Sequence, residues 1–574
     1  MNLLDNIKQS SDVKKLKIAQ LPILAQECRE LIINTVMKNG GHLASNLGVV
    51  DLVIGVHYVF NFPTDKLIFD VGHQCYTHKI LTGRKDKFST LRQGGGLSGF
   101  PKREESKYDT ANTGHASTSL SLACGLSRAN ENAQIISILG DGAMTGGLVC
   151  EALNDLAFDK QKHKQIILLN DNKMSISENV GYISHYLGEL NDFKKKGIPA
   201  PFSEFGLDYY GSIDGHNYTE IIKALQAAKE STKSILIHVR TKKGKGYLPA
   251  EEDPVSYHGY STGSSQTTFS SVFGDKICSL AKNNKDIWAI TAAMKTGVGL
   301  NEFAKLYPDR FVDVGIAEGH GMTMAAGLAL GHKKPYFAVY STFLQRAFDN
   351  LLHDVCLNNL PVTICLDRSG IVSSDGETHQ GIYDVSFLRC MPNIVIAQPK
   401  DYAELEDMLD FSINANYPLV IRYPKGAIST TYTKHDKIEL GKFEKLIYNK
   451  ENSISLIASG ATMVEQAYIA AQKLKEKNIN VNVINARFVA PLDEQMLKEL
   501  SNTTIITLED NTAKGSFGAA VCEFFASNRI ISNIYSKNLG TKPDSQDSKN
   551  HILEEHKLDA LSICNFIQNN YEDW

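Results

Sequence analysis

The chain has 574 residues, 43% hydrophobic and 22% charged, with a formal net charge of −4: an ordinary globular composition, long enough to bury several separate cores. That balance excludes a chain-wide polyanion-binding surface, so no nucleic acid partner is expected, and no membrane association either, because no apolar run approaches the ~20 residues of a span. Ten cysteines lie scattered without Cys-x-x-Cys or metal-ligand spacing, and the polar start MNLLDNIKQSSDVKKLK lacks a signal-peptide core, which points to a cytoplasmic enzyme.

Apolar runs alternate with helical patterns along the whole chain, which predicts an α/β fold of three consecutive doubly wound domains with mainly parallel sheets. The first block covers residues 1–250 and contains strands over Ile135–Leu139, Ile166–Leu169 and Ile235–Arg240. Residues 251–267, rich in Pro, Gly and Ser, read as a linker. A second block, 268–440, holds short strands in FVDVGI, YFAVY, VTICLD and IVIAQP and ends on Leu419–Tyr423. The third, 441–574, has SISLIAS, VNVINA and TIITLED around a helix over Met463–Lys477. Residues 181–205 read as a loop that could serve as a lid.

The most informative stretch runs from Gly140 to Ser177. One apolar strand feeds Gly140-Asp141-Gly142, a helix follows, and a second strand ends at Asn170-Asp171-Asn172. In such a unit both strands point the same way, so Asp141 and Asn172 emerge together at the carboxyl edge of the sheet. Mg²⁺ prefers hard oxygen ligands shared with substrate phosphates, and glycines beside a helix start let a diphosphate approach. Three further turns in this block, NGGHLASNLG, DVGHQCYTHK and NTGHASTS, place a histidine directly after glycine. One such turn alone is usually structural; three beside a metal turn point to a phosphate-bearing cofactor. In the second block Glu318 lies between a strand and a small-residue helix, where burial would raise its pKa and make it a proton donor.

The GDG turn followed by the Asn-rich turn resembles the thiamine diphosphate motif, and Glu318 in DVGIAE resembles the glutamate that activates that cofactor. The segments GGHLASNLG, DVGHQCYTHKILTGR, LNDNKMSISENVG, YSTFLQRAFDNLLHDV, DRSGIVSSDGETHQGIYD and ARFVAPLDE are similar, over nearly the full length, to the 1-deoxy-D-xylulose-5-phosphate synthase family of transketolase-like enzymes. The resemblance implies Mg²⁺ held by Asp141, Asn172 and the Met174 carbonyl. It implies thiamine diphosphate held by His73, Gly114, His115, Ala116, Gly142, Ala143, Asn172 and Tyr247, with Phe343 stacked on the pyrimidine and Glu318 bonded to a ring nitrogen. Its substrate side is His42, Ser45, Arg92, His258, Tyr340, Arg346, Arg368, Asp375, His379 and Arg487. Arg368 and Arg487 are the natural phosphate partners, since a guanidinium bonds phosphate in bidentate fashion. His42, His258 and His379 are candidates for proton exchange near neutral pH.

The reaction implied joins pyruvate to D-glyceraldehyde 3-phosphate with loss of CO₂, in a homodimer that feeds isoprenoid, thiamine and pyridoxal synthesis. A transketolase, which transfers a ketol unit without losing CO₂, is the nearest rival. A degenerate, noncatalytic binding protein is another, opposed by the retention of Glu318 and the metal-ligand side chains. The chain departs from the family pattern in several places. Glu318-Gly319-His320-Gly321 replaces Glu-Gln-His-Ala, which suggests a more flexible helix start. Ala116 stands where serine is usual, the loop after Gly181 is short, and the usual Pro-Asp-x-Phe and His-Gly elements are not recognisable in LGTKPDSQDSKN.

Overall fold

The computed structural model describes residues 2–571 apart from 131, 160–162, 176–177, 190–201, 261–265, 429–431 and 433–435. The chain forms two compact units, one of residues 1–264 with 315–317, the other of 265–314 with 318–574. Unit one is built on a parallel sheet of β1 (Lys66–Phe69), β2 (Ile135–Gly140), β3 (Ile166–Asp171), β4 (Asp208–Asp214) and β5 (Ile235–Arg240), in the order β1-β2-β3-β5-β4. Side chains alternate across a strand, so Ile136, Ile138, Ile166 and Leu168 enter one core while Leu139, Ile167, Leu169 and Leu236 enter another on the opposite face. That two-sided burial is why these strands read as unbroken apolar runs. The helix Leu43–Val59 is buried almost along its whole length, matching its apolar residues on every side.

Unit two carries two sheets. The first joins β6 (Ile287–Thr291), β7 (Phe311–Asp313), β8 (Lys334–Tyr340), β9 (Thr363–Asp367), β10 (Val395–Ala397) and β11 (Leu419–Arg422) in parallel. The second contains β12 (Glu444–Ile447), β13 (Ile454–Ser459), β14 (Asn482–Asn485), β16 (Thr504–Glu509) and β17 (Ile534–Lys537), with β12 antiparallel. One difference from the sequence reading is β15 (Phe488–Ala490). It follows β14 in the chain yet pairs antiparallel with β10, so the third block lends an edge strand to the second block's sheet.

The α/β class with mainly parallel sheets is borne out. The expected linker is only partly a linker: Gly41 and Tyr260 exchange backbone hydrogen bonds, and Tyr257 stacks on Tyr260, so residues up to 260 fold onto unit one. Residues 261–265 of the expected linker and 190–201 of the expected lid lie outside the described residues; Tyr182–Glu189 forms a helix. Among the described residues no helix is long and apolar enough to cross a membrane.

Candidate active site

In unit one the strand ends converge as the βαβ reading requires. Gly140 is in register with Asn170, which brings Asp141 beside Asp171 at the carboxyl edge. Asp141 is 3% exposed, and its Oδ2 has no hydrogen-bond partner among the described residues. Burial, then the charge of Asp171, pushes the Asp141 carboxyl well up. Burial opposes ionisation of Asp171 too, but His238 Nε2, 2.8 Å from Asp171 Oδ2, reverses the balance and holds that carboxyl low. The Asn172 turn is shaped by its own amide: Asn172 Oδ1 accepts from Met174 N at 3.0 Å, and Lys173 between them takes a φ of 64°.

A buried carboxylate oxygen without a partner, an amide oxygen with a spare lone pair and the carbonyl of Met174 form a hard-oxygen set that fits Mg²⁺. Close by, a Cβ on Gly142 would stand 2.9 Å from Ser175 Cβ, so glycine is what lets the two turns pack this closely. Lys243 escaped the sequence reading. It follows β5, is buried, and its Nζ donates to Ser175 O at 2.5 Å; burial pushes the ammonium down to about 8 although Asp141 pulls it up.

Two of the three Gly-His turns share one support. Asn46 Nδ2 donates to His42 O at 2.6 Å and to His73 O at 2.7 Å, while its Oδ1 accepts from Tyr76 N at 2.9 Å. A single buried amide on the Leu43–Val59 helix therefore fixes two histidine turns. His42, His73 and His258 gather with ring centroids 5.3–5.5 Å apart, and Ser45 Oγ lies 3.2 Å from His258 Nδ1. Burial, then Lys243, His73 and His42, drives His258 well below its ordinary value. That environment disfavours the imidazolium form of His258. Arg92 packs against the same turn, since a Cβ on Gly41 would meet Arg92 Cδ at 3.1 Å.

The third turn, Gly114-His115-Ala116, is anchored by Asp70 at the end of β1, which accepts from Ser117 N at 2.7 Å and Ser119 N at 3.0 Å. Ser117 Oγ in turn donates to Ala143 O at 2.8 Å, tying this turn to the GDG turn. Tyr247 packs edge-on against Tyr257.

In unit two Glu318 begins the helix Glu318–Leu330 and is 1% exposed. Burial raises its carboxyl, although Arg346 Nη1 at 3.1 Å from Oε2 pulls the other way. Arg346, expected on the substrate side, is thus the ion-pair partner of the acid. The glycines after Glu318 also permit close packing: a Cβ on Gly319 would stand 2.8 Å from Asn350 Oδ1 and one on Gly321 2.8 Å from Phe337 Cε2.

Tyr340 and Asp367 are in register across β8 and β9, which sets the Arg368 guanidinium 3.7 Å from the Tyr340 ring centroid. Arg368 Nη1 also donates to Gly297 O at 3.0 Å. Phe343 lies 5.9 Å from the Tyr340 ring and 5.6 Å from His379, whose Nδ1 is 2.9 Å from Thr378 Oγ1. Asp375 stands 3.9 Å from Lys425, which lies in the turn after β11. Arg487, expected at the phosphate, has carboxylate partners in this structure. It is 1% exposed and ion-paired to Glu404 at 2.7 Å and Glu444 at 3.0 Å, with Lys400 alongside. These ion pairs lie inside unit two, whereas Lys425, missed in the sequence, stands beside Asp375 of the loop that follows Arg368.

Parallel sheets with a hard-oxygen turn at one strand edge and a buried acid at a helix start define a transketolase-like, thiamine-diphosphate-dependent enzyme. Family models agree: 1-deoxy-D-xylulose-5-phosphate synthase matches residues 4–197 and 191–241, the transketolase pyrimidine binding domain 265–430, and the transketolase C-terminal domain 444–560. The 1-deoxy-D-xylulose-5-phosphate synthase of Clostridium kluyveri is 46% identical over 99% of this chain and 98% of its own. That of Caldanaerobacter subterraneus is 44% identical over 100% of this chain and 99% of its own. Among solved structures, transketolase from Campylobacter jejuni is 19% identical with a TM-score of 0.46, covering 96% of this chain and 100% of that chain. The chain belongs to the 1-deoxy-D-xylulose-5-phosphate synthase family.

Proposed function

We propose that the chain condenses pyruvate with D-glyceraldehyde 3-phosphate, releasing CO₂ and forming 1-deoxy-D-xylulose 5-phosphate, with thiamine diphosphate and Mg²⁺, as a cytoplasmic homodimer. The observation that carries this reading is Glu318, a buried carboxyl pushed up at a helix start, in a chain 46% identical to a family member over 99% of its length.

When bound, thiamine diphosphate supplies the carbon nucleophile and the electron sink. The chain's residues bind, orient and protonate. Asp141, Asn172 and the Met174 carbonyl would ligate Mg²⁺, and Lys243 would offset the diphosphate charge. His73, Gly114, His115, Ala116, Gly142, Ala143 and Tyr247 would hold the cofactor, with Phe343 against its pyrimidine. Glu318, favoured in its protonated form by burial, would donate to the pyrimidine nitrogen. His258, whose charged form burial disfavours, would serve as a hydrogen-bond partner beside His42 and Ser45. Arg368 and Lys425 would take the acceptor phosphate, near Tyr340, Asp375 and His379. Arg92 and Arg346 remain on the substrate side, Arg346 acting through Glu318.

The deciding assay follows CO₂ release and sugar-phosphate formation from pyruvate, with and without glyceraldehyde 3-phosphate, in the presence of cofactor and Mg²⁺. Product that needs both substrates is expected. Ketol transfer from a sugar donor without CO₂ would instead make the chain a transketolase.

A further inference from the structure

The loop from Arg368 to Tyr383 carries three of the residues assigned to the acceptor. It is closed at its base, where Gly370 and Gly381 exchange backbone hydrogen bonds of 2.7 and 2.9 Å. Its tip consists of polar residues, SSDGETHQ, which contribute little apolar burial to hold their own conformation. The order comes from residues 544–547, in the segment where the chain departs from its family pattern. The Gln380 amide accepts from Val372 N at 2.8 Å and donates to Asp544 O at 3.2 Å. Asp547 N donates to Ser373 O at 3.2 Å. Gln546, 6% exposed, covers Gly376, where a Cβ would stand 3.3 Å from both Gln546 N and Oε1. Asp544 is itself held by His556, with Nε2 2.8 Å from Oδ1, and Ser548 caps the helix Lys549–Glu555 that follows. The tip is thus fastened to a segment that is anchored at its other end.

We propose that residues 544–547 form a positioning strap for the acceptor loop, with Gln380 and Gln546 as positioning residues that set where Asp375 and His379 stand beside Arg368 and Lys425. This rests on the reading of that loop as the acceptor site. The strap acts on the population of the competent loop. If loosening it leaves about a tenth of the loops competent, the apparent acceptor affinity falls about tenfold, while groups outside the loop keep theirs.

The test uses the full chain with Gln546→Ala, Gln380→Met and the conservative Gln546→Asn. Hydrogen exchange in the cofactor-free protein should speed up about tenfold at the amides of residues 372–380 in the first two variants and stay unchanged in β13 and β16. In the holoenzyme the KM for glyceraldehyde 3-phosphate should rise about tenfold with the KM for pyruvate within about twofold, and Gln546→Asn should recover part of the loss. Unchanged exchange at 372–380, or equal shifts in both KM values, would overturn the proposal. If the wild type makes no product from the two substrates, the functional reading fails, and the exchange experiment still decides whether the strap orders the loop.

Discussion

Replacing Arg487 by alanine separates two roles that the sequence alone could not distinguish. In the structure Arg487 and Lys400 face Glu404 and Glu444, all fully buried, with the Asn485 amide donating to both carboxylates at 3.0–3.1 Å. Two cations balance two anions, so the substitution leaves one buried negative charge in excess. Breaking a buried pair from one side costs about 3–5 kcal/mol. At about 2–4 °C per kcal/mol, the thermal midpoint of unit two should fall by roughly 6–20 °C. The loss should also depend on pH. Burial already raises the Glu404 carboxyl despite Arg487 and Lys400, and removing Arg487 raises it further. A carboxyl raised in the folded state stays protonated there after the unfolded chain has released its proton, so stability falls as pH rises through that window. The defect should therefore shrink as pH is lowered toward the ordinary carboxylate range in scanning calorimetry. Pairing Arg487→Met with Glu444→Gln leaves Lys400 facing Glu404 in balance and should restore more than half of the loss. A midpoint within about 2 °C of wild type, together with an acceptor KM raised about tenfold, would refute this reasoning and return Arg487 to the phosphate site.

Asp141→Ala should abolish Mg²⁺-dependent cofactor binding in calorimetric titration while the fold persists; unchanged affinity removes Asp141 from the metal site. Glu318→Gln should still bind cofactor but slow deuterium exchange of its acidic ring carbon by ~10²–10⁴-fold, followed by NMR, because an amide cannot donate as the carboxyl does. Arg368→Ala and Lys425→Ala should each raise the KM for glyceraldehyde 3-phosphate roughly ten- to a hundredfold, with unphosphorylated glyceraldehyde much less affected; equal effects on both aldehydes contradict the assignment. Along the buried chain Ser10, His57, His78 and Asp109, linked at 2.7, 3.0 and 3.1 Å, burial pushes His57 and His78 down, although Asp109 pulls His78 up. The unfolded chain takes up protons first as pH falls through about 6.5, so urea midpoints should decline below that value, and His57→Phe should flatten the decline; a profile identical to wild type in that variant denies the link.

Strands buried on both faces were legible because nothing along them breaks the apolar run: β2, β3, β5, β9, β11, β13 and β16 all stood out in the sequence. Five of those not singled out, β1, β4, β12, β15 and β17, lie at sheet edges. Solvent on one side of an edge strand admits polar residues, as in the partly exposed DYYGSID of β4 and IYSK of β17, and the run disappears. The site followed a similar division. Asp141 and Asn172 were legible because parallel strands must deliver their carboxyl ends to one edge, so residue type and strand position together imply the chemistry. Asn46 was not, since a lone amide in an apolar helix gives no sign that it joins two turns whose residues come from different parts of the chain.

The cations show where such reading stops. Lys425 and Arg487 each follow a strand, β11 and β14, and periodicity treats them alike. What separates them is the company of each side chain. Glu404 comes from the helix Tyr402–Ser412 and Glu444 from β12, and both meet Arg487 where the chain passes from β14 to β15, the strand paired with β10. Lys425 meets Asp375 of a polar loop and keeps 40% of its side chain exposed. A buried guanidinium with two carboxylates has its charge already satisfied and would have to break those pairs to reach a phosphate, whereas an ammonium at an exposed loop gives up only a weak contact. What each cation is free to reach is therefore set by the tertiary partners that burial supplies, and these lie outside any local pattern.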